Sequence, residues 1–295
     1  MRRRSAPVED DPETRELFRR AAEARLAGRL EEAAVLYRAV RARRPGHVGA
    51  LRGLRDLAAD AHRWPEALEA EQALVDAVPA IERSDENEWL AAFHYEQGRE
   101  DLAAGRLDGA IAHFRLAVRA DRRFVPASLA LGDALELTGD QREATRVWER
   151  AAEREPTLPV LARLERAYRI EGRPTRMIAL YETAAARAPE DMALAVALGR
   201  VYFELEMLDA AADHFEKLEV RAPEFPVIHA FLGAIFERRG DTREAFEEYR
   251  KALRLAQGFT WPHRCLHCSA STPTWEDRCP RCGRWNSLRP TSLPR

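Results

Sequence analysis

The sequence has only four cysteines in 295 residues, and all four fall between positions 265 and 282. A disulfide framework would spread its cysteines along the chain, so this confinement points to metal binding and a reducing compartment. Long apolar stretches are missing too. The longest run without Asp, Glu, Lys or Arg, Phe225 to Phe236, is well short of the ~18 residues a membrane helix needs. The basic start, Met1-Arg-Arg-Arg, meets Glu9, Asp10 and Asp11 where a signal peptide has its apolar core. A soluble, cytoplasmic protein is expected. Net charge is only -2, so the whole molecule is not a polyanion binder, although residues 259–295 carry six Arg against two acids. No phosphate-binding loop, Gly-x-Ser-x-Gly or His-Glu-x-x-His occurs. The histidines at 47, 62, 94, 113, 214 and 229 are scattered, and on such helices a lone histidine is packing or surface. A non-enzyme is expected.

What is present is a period. Pro45 and Pro79 are 34 residues apart, as are Pro189 and Pro223, with Pro156 between. A repeat of 34 residues is the length of a tetratricopeptide unit, two antiparallel helices with small residues at their crossing. Proline closes the second helix because it has no backbone N–H to continue it. Other positions share the register. The unit from Val125 has Gly132, Gly139, Ala144, Trp148 and Ala151; that from Met192 has Gly199, Ala211 and Phe215; that from Pro226 has Gly233, Gly240, Ala245 and Tyr249. Units also open at Thr14, Val48, Ala91 and Leu158. Small side chains let the helices approach, and the aromatic fills the gap toward the next unit. The extra residues around Glu82–Glu88 either lengthen a helix or bend the stack. The expected fold is all-α, a superhelical solenoid of about seven tetratricopeptide repeats followed by a small four-cysteine ribbon. The expected boundaries are a disordered tail at 1–13, the solenoid at 14–257, the ribbon at 258–290 and a tail at 291–295.

A solenoid exposes a concave face lined by the first helix of each unit. The residues expected there are Tyr95, Arg99, Asp133, Glu136, Arg166, Arg169, Arg200, Phe203 and Glu237. A mixed groove with arginines and aromatics suits a peptide or partner helix, and the alternative is a plain solvated surface. Asparagine occurs only at 87 and 286, neither of them in the groove, which argues against a clamp for C-terminal carboxylates.

The C-terminal segment places Cys265-Leu-His-Cys268 ten residues before Cys279-Pro-Arg-Cys282-Gly. Each pair forms a tight knuckle, and two knuckles supply four thiolates to one tetrahedral ion. Cys265, Cys268, Cys279 and Cys282 are the expected ligands of one metal ion, zinc in preference to iron. Gly283 suits a positive φ after the second knuckle, and Ser269 stands in the matching place of the first. A segment this short has little core, so the ion must contribute much of its folding energy. Trp275 and Trp285 are expected around the site, and Trp261 against the last repeat. His263 and His267 are the alternative ligands. Arg278, Arg281, Arg284 and Arg289 make the segment basic, yet nucleic acid is a poor fit without alternating aromatic and basic residues beyond the knuckles.

Helical repeats of this kind ending in a rubredoxin-like ribbon resemble the lipopolysaccharide assembly protein B (LapB) family. The resemblance runs from about residue 14 to 290 and is carried by Tyr95-Glu-Gln-Gly-Arg-Glu-Asp-Leu-Ala-Ala-Gly, Ala127-Ser-Leu-Ala-Leu-Gly-Asp, Arg264-Cys-Leu-His-Cys and Cys279-Pro-Arg-Cys-Gly-Arg-Trp. It implies an adaptor that brings the lipid A deacetylase to the membrane protease FtsH and so regulates lipopolysaccharide synthesis. It also implies a place at the inner face of the inner membrane. That family typically begins with a membrane-spanning helix, which this sequence does not show. The ribbon alone also looks like that of the RadA recombination ATPase, but no ATPase follows it.

Overall fold

The computed structural model describes residues 10–255 and 262–291. The chain divides into two compact units, one ending at Thr138 and one beginning at Gly139. The division falls inside the repeat that opens at Val125, not at the expected junction of solenoid and ribbon. The first unit contains α1 (Pro12–Leu26), α2 (Leu30–Arg43), α3 (Val48–Asp60), α4 (Trp64–Ala77), α5 (Arg83–Ala103), α6 (Leu107–Ala120) and α7 (Val125–Leu137). The second contains α8 (Gln141–Arg154), α9 (Leu158–Ile170), α10 (Pro174–Arg187), α11 (Met192–Glu204), α12 (Leu208–Arg221), α13 (Pro226–Arg239) and α14 (Thr242–Leu255). Three short strands then pair antiparallel in the order β2 (Ser271–Thr272), β1 (His263–Cys265), β3 (Leu288–Pro290).

The helix boundaries have local causes. Each of the five period-marking prolines stands two residues past a helix end, as Pro189 does after Arg187. Asp11 caps α1 by accepting from the Thr14 N–H at 2.9 Å, so the helix begins inside the segment expected to be a tail. Between paired helices the chain turns through a left-handed residue. Glycine takes that place at 28, 105, 139, 172 and 240, but His62 and Glu206 adopt it with φ of 54° and 59°. The insertion lengthens a helix: α5 has 21 residues where α3, α7, α9 and α11 have 13.

The core repeats one contact. Gly98 of α5 lies under Phe114 of α6, Gly199 of α11 under Phe215 of α12, and Gly233 of α13 under Tyr249 of α14. A Cβ at these glycines would fall 2.6–2.7 Å from the ring. Phe114, Trp148, Tyr181 and Phe215 are all fully buried. Phe215 also stacks on Phe231 of the following unit, with ring centroids 4.8 Å apart. Helix against helix within a pair, and ring against the next pair, thus share one anchor.

Ionic contacts tie neighbouring pairs at the same spacing. Arg52 reaches Glu86 at 2.5 Å, Arg200 reaches Glu165 at 2.6 Å, and Arg169 contacts Glu204; these partners are 34 or 35 residues apart. The lengthened start of α5 is held in this way. Arg55, itself buried, bonds Glu86 at 3.0 Å and Glu71 at 3.3 Å, and lies 4.9 Å over Trp89. Glu71 is fully enclosed and its Oε1 meets no donor. Burial pushes its carboxyl up to about 8; Arg55 opposes the shift and the Glu86 carboxylate adds to it.

Gly98→Val is expected to lower stability by about 1–3 kcal/mol, the cost of overpacking, read as a shifted denaturant midpoint with unchanged slope. Because folding raises the Glu71 pKa, its contribution is complete below the ordinary carboxylate range and lost as pH rises through about 8. Glu71→Gln should remove that decline. Equal pH–stability slopes in parent and variant over this range would contradict the assignment.

Candidate functional site

The two cysteine knuckles have the same backbone geometry. In the first, the Cys265 N–H donates to the Ala270 carbonyl at 2.9 Å and the Ser269 N–H to the Cys265 carbonyl at 3.0 Å. In the second, the Cys279 N–H donates to the Arg284 carbonyl and the Gly283 N–H to the Cys279 carbonyl, both at 2.9 Å. The turn needs a left-handed residue in the fourth place after the first cysteine. Gly283 supplies it with φ 70°, and Ser269 does so with φ 56°. The knuckles are therefore equivalent despite the serine.

The strands and knuckles bring the four sulfurs within 4.8 Å of one another. Cys265 to Cys282 and Cys268 to Cys279 are each 3.7 Å. Bonds of ~2.3 Å to a tetrahedral ion place sulfurs ~3.8 Å apart, so the donor set fits one metal ion. Cys265 and Cys279 are buried, Cys268 is half-buried and Cys282 is exposed. Cys265 Sγ lies 3.3 Å from the Ser287 hydroxyl oxygen, and the His267 N–H points at the same sulfur at 3.4 Å. Burial raises the Cys265 thiol, but Ser287 and the N–H groups of Cys268 and His267 outweigh it and bring it down to about 6. Cys282 goes up to about 12: the Arg284 N–H favours its thiolate, but burial and the other three sulfurs prevail. A dication resolves this conflict by accepting all four as thiolates.

The surroundings sort the remaining expectations. Trp275 packs with Cys265, Cys279 and Leu288 around the site. Trp285 instead lies under the Arg278 guanidinium, 4.5 Å from ring centroid to Cζ, and Arg278 Nε donates to the Gly283 carbonyl at 2.7 Å. Arg289 donates to the carbonyls of Asn286 and Leu288, and Arg284 faces the His267 ring at 3.3 Å. Among the described residues the thiolate cluster does not include His263 or His267. Trp261, expected against the last repeat, lies outside the described residues. On the side of β3, Pro290 and Thr291 share a cleft of about 340 Å³ with Ala188, Pro189, Glu190 and Asp191 of the α10–α11 turn.

The groove residues are distributed over both units. In the first unit Tyr95 is not a lining residue: it is buried, packed on Phe114 and Phe124 with ring centroids at 5.9 and 5.6 Å. Its aromatic face gains more from that core than from solvent. Arg99 is exposed, over the Tyr95 ring at 5.7 Å and beside Glu96 at 3.4 Å. Asp133 and Glu136 are half-buried on α7. In the second unit Arg169 and Arg200 meet around Glu165, which also accepts from Tyr181 at 2.7 Å. Burial pushes the Glu165 carboxyl up, but Arg200, Tyr181 and Arg169 hold it down at about 2. Glu204 pairs with both arginines. Phe203 lies edge-on to Phe231 and beneath Arg238, Glu237 accepts from Tyr249 at 2.7 Å, and Arg166 is exposed. Glu165, Glu204 and Tyr181 are absent from the residues expected in the groove. For the two glutamates the signal is the opposite charge 35 residues away, Glu165 from Arg200 and Glu204 from Arg169.

Cys279→Ser is expected to release the ion held by the four cysteines and to unquench or shift Trp275 fluorescence, with far-ultraviolet helicity retained. Loss of helical signal together with the metal would show that the repeats depend on the ribbon.

Comparison with known proteins adds the following. The LapB zinc-ribbon model, described as a rubredoxin metal binding domain, matches residues 263–290. Tetratricopeptide repeat models match residues 95–159 and 166–226. No curated protein matches the chain. Among solved structures, a crystal structure of MamA protein is similar over 56% of this chain and 91% of its own, with 22% identity and a TM-score of 0.42. MamA residues 41 to end from Desulfovibrio magneticus RS-1 match over 56% and 94%, with 22% identity and a TM-score of 0.41. The chain thus combines tetratricopeptide repeats with a ribbon of the LapB rubredoxin type.

Proposed function

We propose that this protein is a non-enzymatic adaptor that matches lipopolysaccharide synthesis to demand by bringing the lipid A deacetylase to the membrane protease FtsH. The observation that carries the reading is the fusion itself: a rubredoxin-type ribbon of the LapB kind directly after tetratricopeptide repeats. Repeats alone serve many partners, and the ribbon narrows the choice.

The chemistry supports an adaptor over a catalyst. Four cysteines saturate a tetrahedral ion and leave no coordination position for a substrate. Zinc, which has no redox chemistry of its own, suits such a closed structural site. The exposed arginines and carboxylates of α9 and α11 give a polar face for a protein segment. No helix among the described residues is long and apolar enough to cross a membrane. On this reading the chain works at the cytoplasmic face of the inner membrane and meets it through its partner.

Affinity capture of the tagged full chain from its own cells, beside a Cys279→Ser variant, tests the proposal. The expected result is recovery of FtsH and the deacetylase with the intact ribbon and their loss from the variant. Enrichment of other proteins in place of both would mean a general tetratricopeptide scaffold with unrelated clients.

A further inference from the structure

A second cluster of ligand-type side chains lies at the last helix joint. Glu219 of α12, His229 of α13 and Glu248 of α14 bring one donor atom each within 4.8 Å of one another. His229 is buried, with 3% of its side chain exposed. Its Nε2–H donates to the Pro223 carbonyl at 2.6 Å, which turns Nδ1 toward the carboxylates. Nδ1 is 2.7 Å from Glu248 Oε2 and 3.7 Å from Glu219 Oε1. We propose that Glu219, His229 and Glu248 form a second divalent-metal site, one that takes zinc through one imidazole nitrogen and two carboxylates.

Four features meet what such a site requires. The donor set is mixed nitrogen and oxygen, which zinc accepts with three protein ligands and water in the fourth position. The histidine carries the outer-shell bond that fixes ligating imidazoles, from its second nitrogen to a backbone carbonyl. The Lys251 ammonium holds Glu248 at the other oxygen, Oε1, at 2.6 Å, so Oε2 stays directed at the ion, and it contacts Glu219 at 3.3 Å. Without an ion, the two carboxylates are met by the Lys251 ammonium and by the hydrogen between Nδ1 and Oε2, and that hydrogen holds the place a dication would take. Lys251 is 47% exposed, so the ammonium beside the cluster faces solvent.

In the metal-free arrangement Nδ1 and Oε2 share a hydrogen. The ion replaces it, the hydrogen leaves to solvent, and the contact opens to about 3.3 Å, the ligand spacing set by bonds of about 2.0–2.1 Å. The site differs from the ribbon in kind. It has an open position, it contains no sulfur, and it joins three helices that packing already holds together.

Cobalt distinguishes the two sites because only thiolate ligands add charge-transfer bands. The full chain is expected to bind two Co²⁺, one with those bands and one without. A Cys279→Ser/Cys282→Ser chain should keep the second ion, and zinc should raise its melting temperature. Adding Glu219→Gln, at a half-exposed position that leaves the packing intact, should weaken that ion at least tenfold, and Glu248→Gln should abolish it. One ion in the full chain, or none in the cysteine variant, would overturn the proposal. So would an ion that survives both glutamine substitutions, which would be adventitious. A fall in stability with Glu248→Gln but no response to zinc would show that the shared hydrogen alone occupies the joint.

Discussion

Three of the helix pairs depend on a ring seated over a glycine. Where Phe114, Phe215 and Tyr249 lie on Gly98, Gly199 and Gly233, no Cβ fits, so the two backbones come as close as an aromatic thickness allows. The same Phe215 then meets Phe231 of the next pair. A local approach within one hairpin and a longer-range stack between hairpins are thus decided by one side chain. In such a pair the glycine, the ring and the following helix must keep their separation or lose both contacts.

The solenoid and ribbon rest on different physics. Each repeat gains stability from apolar contacts distributed over many residues, so a single change is felt locally. The ribbon has three short strands and a small cluster of Cys265, Cys279, Leu288 and Trp275. Its order depends on the charge of one ion against four sulfurs, which makes it an all-or-none element.

Much of this was legible in the sequence. Helices open at Val48, Val125, Leu158, Met192 and Pro226, where the period put them, because proline, small residues and aromatics mark backbone requirements with few alternatives. The four cysteines meet because two knuckles leave their sulfurs little choice. Three things were less visible. The start of α5 at Arg83 depends on Arg52 and Arg55, an earlier repeat's charges, meeting Glu86. Tyr95 was placed by its position in the unit, whereas its partners Phe114 and Phe124 draw it inward. The His229–Glu248 contact joins residues 19 apart, and neither carries a motif. Polar pairing of this kind is set by side-chain geometry across helices, to which a single-sequence pattern is blind.

The overhang of α5 has a consequence for how the molecule tolerates change. Its 21 residues exceed those of α3 or α7 by eight, a length of about 12 Å at ~1.5 Å per residue. All of it is added at the end where the helix begins, so Gly98 still lands beneath Phe114 and the frame downstream is undisturbed. The helix acts as a strut lengthened at the end that Arg52 and Arg55 hold, while the joint below stays seated. Arg55 is the collar that grips it, and a strut of different length would need only a new acid at the height of that collar.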